Sequence, residues 1–159
     1  MSLKPSIKPK MHLILFVVAI TAALIHWIAK ELVFVLTPSI EPSILIKAGG
    51  KPSKGEYVSF KFQHDLISTK PFLLTKKIAC IQGDFLQVKE EVHFYCNDQY
   101  LGFAKRSTLD GKPMPIFKWP QGLIPKGKIF VTGKHVDSFD SKYWGFLDVS
   151  EVQRLKVIF

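Results

Sequence analysis

FLLTKKIACIQGDFLQVKEEVHFYC, residues 72–96, is the stretch that decides the fold. It opens with a β-rich run from Phe72 to Ile81 and breaks at Gln82-Gly83-Asp84. It then gives two short apolar-polar segments, Phe85 to Lys89 and Val92 to Tyr95. Gly beside Asp favours a turn, while β-branched and aromatic residues favour the pleated backbone on either side. No 3.6-residue apolar period runs through it, so the second half reads as a hairpin. Working outward, Leu32 to Leu36, Tyr57 to Phe62 and Ile129 to Thr132 repeat the pattern, with turn signals at Ala48-Gly49-Gly50, Asn97-Asp98 and Asp110-Gly111. The expectation is a mainly β domain. Gly111 to Gly127 holds Pro113, Pro115, Pro120 and Pro125, which argue against a central strand or helix and predict a surface excursion.

Towards the N-terminus the character changes. Met11 to Ala29 carries no formal charge. At 1.5 Å per residue it rises about 28 Å as a helix, enough for a ~30 Å hydrocarbon core. A cleaved secretory signal has a shorter apolar region ending at small residues. This run ends in Ile25-His26-Trp27-Ile28-Ala29, and it has no polar stripe of the kind a soluble surface helix shows. It therefore reads as a retained membrane anchor. Lys4, Lys8 and Lys10 precede it without an acidic residue, which by the positive-inside tendency predicts a cytoplasmic N-terminus. The expected organisation is a basic cytoplasmic arm over 1–10, a transmembrane helix over 11–29 and an extracytoplasmic β-rich domain over 30–159.

The net charge of +9 includes those three lysines, and beyond them basic residues still outnumber the 13 acidic ones. They are scattered, with no basic helix or base-stacking aromatic platform, so a solvated surface near anionic lipid is expected rather than a nucleic-acid partner. Two cysteines, Cys80 and Cys96, are too few for a disulfide scaffold. They read either as two packed thiols or as one bridge. No cluster suggests a metal site or a cofactor. The histidines lie in no nucleophile-elbow context and receive no role.

Three segments carry a family resemblance. Thr37-Pro38-Ser39-Ile40-Glu41-Pro42-Ser43 resembles the signal peptidase I motif Ser-Met-x-Pro-Thr/Ser, and Lys76-Lys77-Ile78-Ala79-Cys80-Ile81-Gln82-Gly83-Asp84 resembles its Lys-Arg-Val-x-Gly-x-Pro-Gly-Asp element. Asp137-Ser138-Phe139-Asp140-Ser141-Lys142-Tyr143-Trp144-Gly145 resembles its Asn-Ser-x-Asp-Ser-Arg-Tyr-x-Gly block, the most specific of the three. They occur in the family's order over nearly the whole exported part. The chain departs from the pattern at Cys80 for Gly, Gln82 for Pro and Lys142 for Arg, and at Gly133-Lys134-His135 where the family has Gly-Asp-Asn.

This resemblance implies a signal-peptidase-like β-barrel catalytic domain behind one transmembrane helix. It implies Ser39 as nucleophile, Lys76 as general base and Ser138 as the hydroxyl that orients the lysine. Asp140 would be the carboxylate holding the basic residues Lys142 and Lys77. The Ser39 N–H would supply one oxyanion donor, with the Thr37 hydroxyl a second candidate against a plain strand role. An ordinary lysine, with a pKa of about 10.4, is an acid at neutral pH. Burial can make its amine a base, so serine and lysine can work without histidine.

Within the family, Leu109-Asp110-Gly111-Lys112-Pro113-Met114-Pro115 and Ser138-Phe139-Asp140-Ser141-Lys142-Tyr143 resemble the TraF-type peptidases of bacterial conjugation, which mature the pilin subunit and in some members close it into a circle. Ser39-Ile40-Glu41-Pro42-Ser43 is nearer the general signal peptidase form. The resemblance thus implies a precursor protein as substrate, a propilin or a secretory precursor, cleaved at the outer face of the bacterial inner membrane. The alternative of another class is a noncatalytic membrane-tethered scaffold of a secretion or conjugation system.

Overall fold

The computed structural model describes residues 9–35 and 39–159. The lysines at positions 4 and 8, Leu36 and Thr37 lie outside the described residues. Helix α1, Pro9–Glu31, is one unbroken element of 23 residues, about 34 Å long at 1.5 Å per residue. It is long and apolar enough to cross a membrane. Its one interior hydroxyl, on Thr21, donates to the Val17 carbonyl oxygen at 2.8 Å and so presents no unpaired donor.

Residues 34–159 form a separate compact unit, which is mainly β. Its strands are β1 (Leu32–Phe34, beginning just before it), β2 (Ile44–Lys47), β3 (Tyr57–His64), β4 (Ser68–Ile81), β5 (Phe85–Lys89), β6 (His93–Cys96), β7 (Gln99–Phe103), β8 (Gly122–Leu123), β9 (Lys128–Thr132), β10 (Leu147–Asp148) and β11 (Gln153–Val157). A short helix, α2, covers Ser141–Trp144. Two antiparallel sheets result, one ordered β1-β2-β11-β3-β4-β9-β10 and one ordered β7-β6-β5-β8. The predicted hairpin is β5–β6, with Leu86 opposite Cys96 and Lys89 opposite His93. Asn97 and Asp98 both take positive φ in the two-residue loop that joins β6 to β7. That is the backbone a tight hairpin requires, and Asn and Asp tolerate it better than most residues.

β4 is the central piece. Its inner half alternates, with Lys76, Ile78 and Cys80 buried and Lys77 exposed. Two apolar cores lie along it. Val58, Phe60, Ile78, Ile129 and Val131 form one. The other gathers Leu86, Phe94, Ile124 and Phe130 around Cys80 and Cys96, which are joined as a disulfide with 6.1 Å between their Cα atoms. The bridge ties β4 of the first sheet to β6 of the second and settles the choice the sequence left open.

The segment from Gly111 to Gly127 differs from the surface excursion expected of it. Apart from β8 it stays out of the sheets, as its prolines require, yet Met114, Ile116, Phe117 and Trp119 pack on the disulfide core. Proline removes ladder donors without preventing its neighbours from burying side chains. Strands β2, β7, β8, β10 and β11 were not foreseen. In β11 Leu155 alone is fully buried, which leaves almost no alternation to read.

Candidate active site

Lys76 stands opposite Val58 of β3, and its side chain is 1% exposed. Because successive strand residues face opposite ways, Lys77 points outward. Its ammonium lies 5.9 Å from the centre of the Tyr57 ring. Lys77 is therefore not beside Asp140, contrary to the supporting role the resemblance implied for that pair; strand alternation sends it to the other face.

The Lys76 amine donates to Ser138 Oγ at 2.7 Å. Burial is the main reason its pKa is pushed down to about 8; the Asp140 carboxylate opposes that shift and the Lys142 ammonium adds to it. Asp140 is fully buried and accepts three hydrogen bonds: from the Gly133 N–H at 2.9 Å, the Lys142 N–H at 3.1 Å and Lys142 Nζ at 2.7 Å. It caps the N-terminus of α2, so one carboxylate satisfies an end-of-helix donor and a buried ammonium together. Ser141 anchors the same block to β9 by accepting the Val131 N–H at 3.0 Å.

Gly133 is where the segments meet. A Cβ built on it would lie 2.0 Å from Ser138 Oγ and 2.9 Å from the Ser39 carbonyl oxygen. Those two oxygens are thus less than two hydrogen-bond lengths apart. The next residue, Lys134, donates its N–H to the same Ser39 oxygen at 2.7 Å. Its ammonium pairs with the Glu41 carboxylate. Ile40, between Ser39 and Glu41, is buried. The sequence-predicted residues Ser39, Lys76, Ser138, Asp140 and Lys142 thus belong to one neighbourhood, Lys77 lies on the opposite face of β4 from Lys76, beside Tyr57, and Thr37 lies outside the described residues. The contributions of Gly133, Lys134 and Glu41 were not anticipated. For Lys134 the available signal was its departure, with His135, from the family's Gly-Asp-Asn.

An open cleft of about 280 Å³ runs over Ile40, Tyr57, Lys77 and Gly133. Chemically, the arrangement offers a desolvated amine whose pKa lies near neutrality, a hydroxyl that fixes its direction and a serine backbone held against the same glycine. Among the described residues one cluster has metal-ligand types, Cys80, Asp84 and Cys96. Its two sulfurs are bonded to each other, and Asp84 is paired with Lys54 at 2.9 Å.

A solved structure of a signal peptidase I from Enterococcus faecalis is similar at 18% identity and a TM-score of 0.42, over 69% of this chain and all of that one. None of the curated proteins matches the chain. The family model for signal peptidase, peptidase S26, matches residues 8–158. With a match of that length, the chain belongs to the signal peptidase family, peptidase S26, a family of serine endopeptidases.

Proposed function

We propose that the chain cleaves exported precursor proteins with Ser39 as nucleophile and Lys76 as general base. The observation that carries this reading is the Lys76 amine, buried, directed at Ser138 Oγ and brought down to about 8 by desolvation. Near neutral pH an appreciable share of such an amine is uncharged and can take a proton from a serine hydroxyl. Attack of Ser39 Oγ on the scissile carbonyl forms a tetrahedral oxyanion. Collapse expels the amine of the leaving segment, protonated by Lys76, and leaves an acyl-enzyme. Water deprotonated by Lys76 then releases the product. The Ser39 N–H is the first oxyanion donor in this scheme and the Thr37 hydroxyl the second. Ser138 orients the amine, and Asp140 with Lys142 supports the loop.

The organisation that fits this chemistry is a cytoplasmic arm over 1–10, a single membrane span over 11–29 and a periplasmic catalytic domain over 30–159. The substrate we favour is a conjugative pilin precursor, on the two TraF-like segments at Leu109 to Pro115 and Ser138 to Tyr143. In that case an amine of the same pilin chain can replace water at the acyl-enzyme and close a circle. A secretory signal peptide is the competing substrate.

The test is co-expression of the full chain with a propilin and, separately, with a secretory precursor. Ser39→Ala and Lys76→Ala should each abolish processing while leaving the membrane-inserted protein folded. Processing that persists in either variant rejects the mechanism. Cleavage of the secretory precursor alone rejects the pilin assignment, and a product lighter than the linear form by one water identifies cyclisation.

A further inference from the structure

We propose that Glu41 and Lys134 form a charge clamp that positions the nucleophile loop, with Lys134 holding the loop through both its main chain and its side chain. The proposal rests on reading Ser39 as the nucleophile. Lys134 donates its N–H to the Ser39 carbonyl oxygen at 2.7 Å, and its ammonium pairs with Glu41 two residues further along the same loop. The two contacts grip the loop on either side of Ile40, which is 7% exposed. Together they fix three successive residues of the loop against the end of β9.

Glu41 also answers a charge problem in this chain. Lys77 and Lys134 are both cations on the rim of the cleft, and Asp140 is occupied with Lys142 in the interior. Glu41 is the carboxylate on that rim. Its pKa is lowered first by the hydrogen bond from Lys134, then by the charge of Lys134, and to a smaller degree by the charge of Lys77. Pro42 follows immediately. It restricts Glu41 to extended backbone and so limits the directions its side chain can take. Acyl transfer is sensitive to the placement of the attacking oxygen, and a displacement of about 1 Å can cost up to 10²-fold. An ion pair that adds little to global stability can therefore matter to rate.

Glu41→Lys, Lys134→Glu and the charge-swapped double variant separate this from a decorative surface pair, because every variant keeps the Lys134 N–H. Hydrogen–deuterium exchange of the full chain in detergent micelles should show the amides of Ser39, Ile40, Glu41 and Ser43 exchanging about tenfold faster in each single variant and returning toward wild type in the double. On the precursor whose processing depends on Ser39, kcat should fall about tenfold in the singles with KM within about twofold, and recover in the double. Glu41→Gln, the mildest change, should give a smaller loss in the same direction. Unchanged exchange in both single variants overturns the clamp whatever the role of Ser39. So does a double variant no better than the singles. Persistent processing by Ser39→Ala would instead reject the nucleophile, a separate result that the exchange measurement does not depend on.

Discussion

The Lys76 amine sits 2.7 Å from the Ser138 hydroxyl with both residues in the interior, 1% and 3% exposed. A hydroxyl can orient an amine but cannot neutralise an ammonium. The nearby carboxylate that could do so, on Asp140, is already committed to Lys142 and to two backbone donors. Lys142 thus takes the counter-charge and leaves Lys76 to be governed by desolvation. The division of labour between the two lysines makes one a structural cation and the other a candidate base.

A pH profile follows directly. Since the Lys76 pKa is brought to about 8, kcat/KM for precursor processing should rise about tenfold per pH unit from 6 toward 8 and level off above it. Rates measured across pH 6–10 test this. A flat profile between 6 and 8 would mean that another group, or none, accepts the proton.

The same lowered pKa has a stability consequence with a definite sign. Below about 8 the folded protein carries a buried ammonium that the unfolded chain solvates freely. Between about 8 and the unfolded value near 10.4 only the unfolded state binds the proton, so stability gained from this group rises with pH across that window. Lys76→Met removes the buried charge and should be more stable than wild type at pH 7 by about 1–3 kcal/mol, after the lost Ser138 hydrogen bond is offset. The difference should shrink as pH approaches 10. Urea denaturation at pH 7 and pH 9.5 measures it, and a variant less stable at both would show that packing outweighs desolvation.

How far the sequence showed all this depends on the kind of residue. β5, β6 and the Asn97-Asp98 turn were legible because alternation and turn chemistry are local. β2 and β11 were not, because in β11 Leu155 is the one residue that is fully buried and the strand is fixed by pairing with β2 and β3 at large sequence separation. The neighbourhood of Ser39, Lys76 and the Ser138 block could be read because each lies in a recognisable motif. Gly133 could not, since its importance comes from what a missing Cβ makes room for. Glu41 occupies the variable position of its motif and meets Lys134 across the fold, a contact no local pattern records. Lys77 was misplaced for the opposite reason: the motif suggested a partner on the inside, and strand geometry turned it outward.

Removing the counter-charge of Lys142 should be costly. Asp140→Asn leaves an ammonium that is 5% exposed without its carboxylate, and breaking one side of a buried pair typically costs about 3–5 kcal/mol. Chemical denaturation at pH 7 should show a loss of that size. Because Asp140 raises the Lys76 pKa, the inflection of any residual pH–rate profile should move to lower pH; movement upward would contradict the electrostatic assignment.

The Cys80–Cys96 bridge makes a separate contribution, since the two cysteines are 16 residues apart and belong to different sheets. Closing a loop of that size stabilises by about 3 kcal/mol in the chain-entropy account. The double variant Cys80→Ala with Cys96→Ala should lose about 2–4 kcal/mol. Wild type held in reductant should lose a similar amount. Thermal unfolding with and without reductant checks both, and a wild-type transition indifferent to reductant would argue that the bridge is absent in solution.

Gly133→Ala tests whether the site is as closely assembled as its distances indicate. The backbone at Gly133 does not require glycine for its φ, so the cost is steric. The new methyl would fall 2.0 Å from Ser138 Oγ, 2.6 Å from Ser138 Cβ and 2.9 Å from the Ser39 carbonyl oxygen. Either Ser138 turns away, releasing the Lys76 amine, or the Ser39 loop lifts off β9. Overpacking of this kind typically costs about 1–3 kcal/mol, a loss the folded domain can survive. Processing should nevertheless fall by about 10²-fold, because both ways of relieving the clash misplace a reacting group. Gly145→Ala is the matched control: its methyl would clash with the Phe117 ring at 2.6 Å, in a backbone with φ of 89°. It should destabilise at least as much while sparing the rate measured below its melting temperature. Equal losses of activity in the two variants would show that general destabilisation, rather than the contact between Gly133, Ser138 and Ser39, controls turnover.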